Sequence, residues 1–292
     1  MTRWLTGLLV LAIAGTAILA SLSTPPTVPP PNFADQAPIV TDTLPLELDA
    51  LTWTEVRALI AHGKTLAIIP TGGTEQNGPH MVLGKHNYIM RHTAARIAAA
   101  LGNALVAPVV TYVPEGRIDP PSGHMAYHGT ISVPETVFAA TVESAARSLR
   151  RHGFTTICLI GDSGWNQAAL AAVAKKLNDE WSDSGARVLH VADYYYSANG
   201  QVDWLRGEGE SETDIGTHAG IRDSSELLAV FPDGIRRERM RPSNTPGMEE
   251  SGVIGDPTRA SAARGRKLLQ LKIDAALRQI RRFAKSGGHP AS

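Results

Sequence analysis

The sequence has a single cysteine and no excess of charge of either sign. Cys158 is the only cysteine among 292 residues, so an internal disulfide is excluded, and the apolar run TTICLIGD around it predicts an inert buried thiol. Basic and acidic residues number 28 each, which argues against a polyelectrolyte partner such as nucleic acid. With 43% hydrophobic residues, the composition is that of one globular domain or two small ones.

The N-terminal segment has the pattern of an export signal. An apolar stretch at 4–22 follows Arg3, and the tripeptide SLS at 21–23 offers a small-x-small cleavage site. The stretch is also long enough to remain as an uncleaved anchor, since a membrane span needs about 20 apolar residues. We therefore expect export across the inner membrane of a bacterium, with the protein either periplasmic or anchored to that membrane.

The rest of the chain divides into three parts. The proline-rich residues 24–46 are predicted to be an extended spacer that cannot join a packed core. Residues 47–285 are predicted to form one α/β domain, and 286–292 a flexible tail.

Within the predicted domain, apolar stretches of strand length alternate with segments of helical period. The predicted strands lie at 65–70, 104–113, 155–161 and 187–192, and the predicted helices at 51–62, 88–101, 134–152 and 166–181. Asn87 is predicted to cap the second of these helices. The alternation predicts a three-layer α/β/α sandwich with a mainly parallel central sheet.

Ligands of such folds bind beyond the carboxyl ends of the strands. The loop after the first predicted strand lies within TLAIIPTGGTEQNGPHMVLGKHN, at 65–87, and is dense with side chains that can bind ligands. Five of the ten histidines fall in predicted loops: His80, His86, His124, His128 and His218. We therefore expect the active site where these loops meet.

Five segments resemble the creatininase family in the same order along the chain. PTGGTEQNGPHMVLG is similar to that family's P-x-G-x-x-E-Q-H-G-P-H-L-P-L-G-T-D, and GHMAYHGTISV to its E-H-x-x-F-P-G-T-I-S. HGFTTICLIGDSGWNQ resembles H-G-F-x-x-I-x-x-x-N-G-H-G-G-N, and THAGIRDSSELLAVFP resembles H-A-G-x-x-E-T-S-x-x-L-x-x-x-P. The last segment, GVIGDPTRASAARGRKLL, resembles the closing G-V-x-G-D-P. The region 51–283 is thus identified as a member of the family.

This resemblance implies a homo-oligomeric, metal-dependent hydrolase of C–N bonds in small molecules, such as creatinine and related cyclic or formylated amides. It also implies two divalent ions in the strand-end loops, with zinc, manganese or iron as the expected metals. Two metals suit the reaction, because one can polarise the carbonyl while a bridging hydroxide attacks it.

The ligand positions implied by the resemblance are largely substituted. Glu75 keeps the family's first ligand, but Asn77 stands in place of a histidine and His86 in place of an aspartate. Ser163 replaces a second histidine, and Trp165 replaces a glutamate. An amide, a hydroxyl and an indole cannot hold two dications, so we expect the ordinary dinuclear site to be absent.

Two interpretations of the remaining donors stay open. A single zinc-like ion needs only three protein ligands, which Glu75 and His86 could provide with Asp162 or His218 as the third. Alternatively, Glu75 and His86 serve only as hydrogen-bonding groups for the loop backbone.

The segment Gly161-Asp162-Ser163-Gly164 follows an apolar strand, as the nucleophile does in some serine hydrolases. The Asp-x-x-His expected near the C-terminus of that class is missing, so Ser163 is more simply a lost metal ligand. His218 is instead the predicted proton donor to a leaving nitrogen, because imidazole titrates near neutral pH, and Asp223 lies in the same loop pattern. Substrate contacts are predicted for Trp165, His124 and Asn166.

Two classes of function therefore remain. The first is an exported hydrolase of amide or cyclic amide C–N bonds, with an altered metal site. The second is a non-catalytic binding or assembly protein that keeps the fold and its pocket. A hydrolase that depends on Ser163 is the remaining alternative.

Overall fold

The computed structural model of the protein describes residues 41–246 and 248–286. The predicted signal or anchor at 1–23 lies outside the described residues, as do most of the predicted spacer and all but the first residue of the predicted tail. Within the described ranges, no helix is long and apolar enough to cross a membrane. Export, the domain boundaries and assembly into a homo-oligomer stay predictions.

Among the residues that the structure describes, four parallel strands form the central sheet, in the order β2-β1-β3-β4. Their bounds are Leu66–Thr71 (β1), Ala104–Val106 (β2), Thr156–Gly161 (β3) and Arg187–His190 (β4). In the register, Leu66 of β1 pairs with Ala104 of β2 and with Thr156 of β3. All six residues of β1 are buried, as expected for a strand in a parallel sheet that is covered on both faces.

Eight α-helices are present in the described residues. They are Trp53–Ala61 (α1), Lys85–Leu101 (α2), Glu135–Arg151 (α3), Gln167–Glu180 (α4), Gln201–Gly207 (α5), Glu212–Ile215 (α6), Ile221–Val230 (α7) and Ala262–Lys285 (α8). The predicted α/β/α arrangement is confirmed, because helices pack on both faces of the sheet.

The two faces of β3 show how the layers form. Cys158 and Ile160 point into a core shared with α2 and α8, whereas Ile157 and Leu159 point into a core shared with α3 and α4. Successive strand residues face opposite sides, so one continuous apolar strand supports both cores. Burial raises the pKa of the Cys158 thiol to about 12, in agreement with the predicted inert thiol.

Helices α7 and α8 pack closely next to the cavity, and this contact positions charged side chains of the site. A Cβ added at Gly265 of α8 would lie 1.8 Å from the main-chain oxygen of Ser225 in α7, so only glycine fits there. The contact brings the buried Lys272, two turns further along α8, beside Glu226 of α7.

Two predictions about local structure are wrong. The strand predicted at 104–113 ends at Val106, because Pro108 has no amide hydrogen to continue the ladder, and the chain meets β1 again at Val110 through an isolated bridge. Asn87 does not cap α2, which begins at Lys85. Its side-chain Oδ1 instead accepts a hydrogen bond of 3.0 Å from the Gly73 amide, which ties the loop after β1 to the helix.

Candidate active site at the carboxyl ends of β1 and β3

A cavity of about 490 Å³ lies beyond the carboxyl ends of β1 and β3. Its lining includes Glu75 from the loop after β1, Asp162 directly after β3 and His86 from the first turn of α2. His124 and His218 reach it from two further loops. The predicted loops therefore meet at one point, as the carboxyl edge of a parallel sheet requires.

Glu75 lies on the cavity floor with 2% of its surface exposed. Its Oε1 is 2.8 Å from His86 Nε2, and its Oε2 is 3.2 Å from His124 Nε2. Burial by itself would raise the pKa of Glu75, but His86, Lys85 and His124 hold it well below its ordinary value. The side chain is therefore a carboxylate at neutral pH, which can accept hydrogen bonds or bind a cation.

His86 bridges two carboxylates. Its Nδ1 lies 2.6 Å from Asp162 Oδ2, while its Nε2 contacts Glu75. Burial and the nearby Lys85 lower the pKa of His86, but the two carboxylates outweigh them and raise it overall. An imidazole that donates from both nitrogens has no lone pair for a metal. The structure thus brings Glu75, His86 and Asp162 together, but as a hydrogen-bonded chain.

A different trio has the geometry of a metal site. Ligand atoms of Glu75, His124 and His218 all lie within 4.8 Å of one another, and the two imidazole rings are 4.6 Å apart. Burial lowers the pKa of His218 to about 4 and also lowers that of His124, so both rings are neutral at pH 7. One carboxylate with two neutral imidazoles is a ligand set that zinc hydrolases use.

Gln76 orients both histidines of this trio. Its main-chain oxygen accepts a hydrogen bond of 2.9 Å from His218 Nε2, and its side-chain Nε2 donates one of 3.1 Å to His124 Nδ1. His124 Nε2 then carries a proton that faces Glu75, and metal binding at that nitrogen would release it. Such contacts behind the ligands fix the ring orientations.

Asn77 stands at a ligand position implied by the resemblance, but it serves the loop. Its Nδ2 donates to the main-chain oxygens of Glu75, Val82 and Leu83, at 2.9, 3.2 and 3.3 Å. The side chain is fully buried and closes the turn that carries Glu75.

The segment after β3 places its predicted residues at different depths. Ser163 is 2% exposed, and its Oγ accepts a hydrogen bond from the Trp165 amide at 3.4 Å. The Trp165 side chain is 51% exposed and lies at the cavity mouth. Asn166 is fully buried and donates to Thr71 Oγ1 and the Gly72 oxygen, so it connects β3 with β1.

Trp165 and His124 line the cavity, as predicted for substrate contacts, and their role in binding stays a prediction.

Asp223 stabilises the loop that presents His218. Its Oδ2 accepts a hydrogen bond of 2.6 Å from the amide of Ala219, whose φ of 55° is unusual for a residue other than glycine. The same oxygen is 3.1 Å from Lys85 Nζ. The predicted role of His218 as a proton donor is untested, but a neutral ring whose Nε2 already donates to Gln76 favours a ligand role.

Sequence reasoning missed four charged or polar residues that line the site: Lys85, Lys272, Glu226 and Gln76. Lys272 had a visible signal, because it falls on the apolar stripe of α8 between Leu268 and Ala276, where a charged side chain needs a buried partner. Lys85 and Gln76 carried no comparable signal, since their partners come from distant segments.

Comparison with known proteins agrees with this architecture. Residues 49–280 match the creatininase family, described as creatinine amidohydrolase. The mycofactocin precursor peptide peptidase of Mycolicibacterium smegmatis is 26% identical over 238 residues, which cover 75% of this chain and 85% of the relative. The creatinine amidohydrolase of Pseudomonas putida is 25% identical over 251 residues, which cover 79% and 94%.

Solved structures show the same fold. A mutant creatininase aligns with a TM-score of 0.67 and 25% identity, over 82% of this chain and 98% of that chain. Creatininases have also been solved in a manganese form and in a zinc–zinc form. The match of sequence and fold over most of the chain shows that it belongs to the creatininase family, whose members are hydrolases that act on carbon–nitrogen bonds.

Proposed function

We propose that the chain hydrolyses an amide C–N bond of a small molecule in the cavity, with one divalent ion held by Glu75, His124 and His218. The observation that carries this proposal is the convergence of the three donors within 4.8 Å of one another. Three protein ligands leave a fourth position for water or substrate, as in catalytic zinc sites. Zinc, manganese and iron remain the expected ions.

A divalent ion at this point would polarise the substrate carbonyl and lower the pKa of a bound water. The chain's own residues prepare the site for it. Gln76 holds both imidazoles with one nitrogen of each towards Glu75, and Asp223 holds the loop of His218.

The residues present do not fit a second ion. At Asn77 a neutral amide replaces an imidazole ligand and is fixed by the hydrogen bonds of its Nδ2 to three main-chain oxygens, and Trp165 stands at the mouth without a ligand atom. His86 donates to two carboxylates. The two-metal arrangement implied by the resemblance is therefore replaced by one ion in our proposal.

The cavity combines a charged floor with a more apolar mouth. Trp165, Tyr127, Val253 and Ile254 contribute to the lining, and Trp165 and Ile254 are exposed by 51% and 56%. These side chains would exclude water from one side of a bound substrate, while the amide group would reach Glu75 below. This arrangement supports a substrate amide with an apolar portion.

Metal content and activity together test the proposal. The purified chain, supplied with zinc or manganese, is assayed against creatinine, other cyclic amides and short peptides. Glu75→Gln and His124→Ala should lose both the ion and the activity, because each removes a ligand. Glu208→Gln and His128→Ala are the matched controls, since both residues are exposed, and they should keep both.

A chain that binds no ion and cleaves no amide with either metal would overturn the proposal. The serine alternative predicts a different result. Ser163→Ala would then abolish activity and labelling by a fluorophosphonate probe while the ion stays bound. In our proposal the Ser163 hydroxyl is buried and is not labelled.

A further inference from the structure

Seven side chains on the cavity floor alternate between carboxylate and basic group. In order they are Asp223, Lys85, Glu75, His86, Asp162, Lys272 and Glu226, and each contacts the next. The two ends belong to one helix, since Asp223 and Glu226 lie three residues apart on α7. The contacts therefore form a ring that starts and ends on α7, and every member lines the cavity.

Lys85 holds the section of this ring that is next to the proposed ion. Its Nζ lies 3.1 Å from Asp223 Oδ2 and 3.6 Å from Glu75 Oε1, and the side chain is 1% exposed. The ammonium group of Lys85 therefore lies near Oε1 of Glu75, while Oε2 of Glu75 faces His124. One carboxylate lies between the proposed ion on one side and an ammonium group on the other.

Two carboxylates that share one buried cation could equally share a metal ion, since carboxylate oxygens are ligands of zinc and manganese. We propose that the Lys85 ammonium takes the place of a second divalent cation between Glu75 and Asp223 and excludes that ion from the site. This inference rests on the proposed function for the identity of the first ion.

The chemistry of an ammonium group differs from that of a metal. Lysine supplies one positive charge and three hydrogen-bond donors, but it has no open position for water or for a substrate oxygen. It also repels a divalent ion at contact distance, and this repulsion is only weakly screened in a buried site. Lys85 therefore keeps Glu75 charged and in place while all open coordination positions stay on the one ion.

Counting bound ions tests the inference. Wild-type protein, Lys85→Met and Lys267→Met are dialysed against manganese, and the metal bound per chain is measured by elemental analysis. Methionine keeps the length of the side chain without its charge, and Lys267, exposed on α8, is the matched control. Lys85→Met should bind one more ion per chain than the wild type, and Lys267→Met should bind the same number.

The additional ion bound by Lys85→Met tests the role of Lys85, whereas the number of ions bound by the wild type tests the proposed one-ion site. A folded Lys85→Met that binds no more than the wild type overturns the inference, whatever the wild-type count. If the wild type binds no ion and Lys85→Met binds one ion, the inference is supported and the proposed one-ion site is contradicted.

Loss of charge at a buried position can also prevent folding. Circular dichroism shows whether Lys85→Met is folded with and without ions. If Lys85→Met is unfolded without ions, recovery of its spectrum in manganese, but not in sodium chloride of equal ionic strength, supports the inference. A variant that stays unfolded in saturating manganese contradicts it, because no cation then replaces the lysine.

Discussion

The imidazole of His218 donates its Nε2 proton to the main-chain oxygen of Gln76 over 2.9 Å. This bond leaves Nδ1 as the nitrogen that faces Glu75, at 3.9 Å from its Oε1. Because the acceptor is a backbone atom of the loop after β1, the orientation of His218 depends on the conformation of that loop. The Gln76 side chain separately holds His124.

Replacement of the Gln76 side chain should weaken metal binding without displacing His218. Gln76→Leu removes the 3.1 Å hydrogen bond to His124 Nδ1 but keeps the main-chain acceptor. We expect the affinity for zinc to fall roughly 10–100-fold, the usual cost of losing a group that orients a ligand. Competition with a fluorescent chelator measures the change. Gln270→Leu, on the exposed face of α8, is the control. Equal zinc affinities for the two variants would show that the hydrogen bond from Gln76 to His124 does not contribute to metal binding.

Removal of the Lys272 charge should destabilise the fold strongly. Its ammonium group contacts Asp162 and Glu226, and all three side chains are at least 93% buried. Lys272→Met leaves Glu226 without its cation and Asp162 with His86 as its remaining basic partner, and loss of one partner of a buried pair costs about 3–5 kcal/mol. Urea unfolding at pH 7 measures the free energy of unfolding, with the exposed Lys267→Met as control.

A second substitution separates charge from packing at this position. Lys272→Met combined with Glu226→Gln should recover part of the lost stability, because the carboxylate that lost its cation is then replaced by a neutral amide. If the double variant is less stable than Lys272→Met alone, the loss arises from packing and the charge argument is wrong.

His190 should make the fold sensitive to mild acid. Burial lowers its pKa to about 4 from an ordinary value of 6.5, and its Nε2 donates to Gln167 Oε1 over 2.9 Å. The unfolded chain therefore binds a proton at a higher pH than the folded chain. The contribution of neutral His190 is complete above pH 6.5 and is lost as the pH falls towards 4.

The measurement compares wild type and His190→Gln at pH 7.5 and pH 5. The wild type should lose about 2 kcal/mol more free energy of unfolding than the variant, because pH 5 lies about 1.5 units below the pKa of an unfolded histidine but still above the folded value. His62→Gln, at an exposed position, should follow the wild type. A variant that loses as much stability as the wild type would contradict the assignment to His190.

Local sequence was sufficient for the sheet and for the location of the site. Apolar runs predicted β1 and β3 to within one residue at each end, and the loops after them meet as expected. The predicted second strand is too long, because Pro108 has no amide hydrogen to continue the ladder. The helix start at Lys85 was missed because the side chain of Asn87 bonds to Gly73, a contact across the loop.

Side-chain partners could not be predicted in the same way. The sequence predicts His86 as a metal ligand, but its nitrogens bind Glu75 and Asp162, the second of these 76 positions away. His124 is predicted to contact substrate, and the structure also places it in the trio with Glu75 and His218. Such assignments depend on distances between loops, which periodicity and motifs do not contain.

The sequence by itself determined the parallel sheet, its two apolar faces and the edge at which ligands bind, because these follow from local hydrophobic patterns and from the chirality of β-α units. Only the tertiary structure decided which charges meet there. Lys272 reaches Asp162 across 110 positions, and Lys85 reaches Asp223 from another helix. The burial of these pairs sets the protonation of the site, since ionisation depends on the solvation and the neighbours of each group.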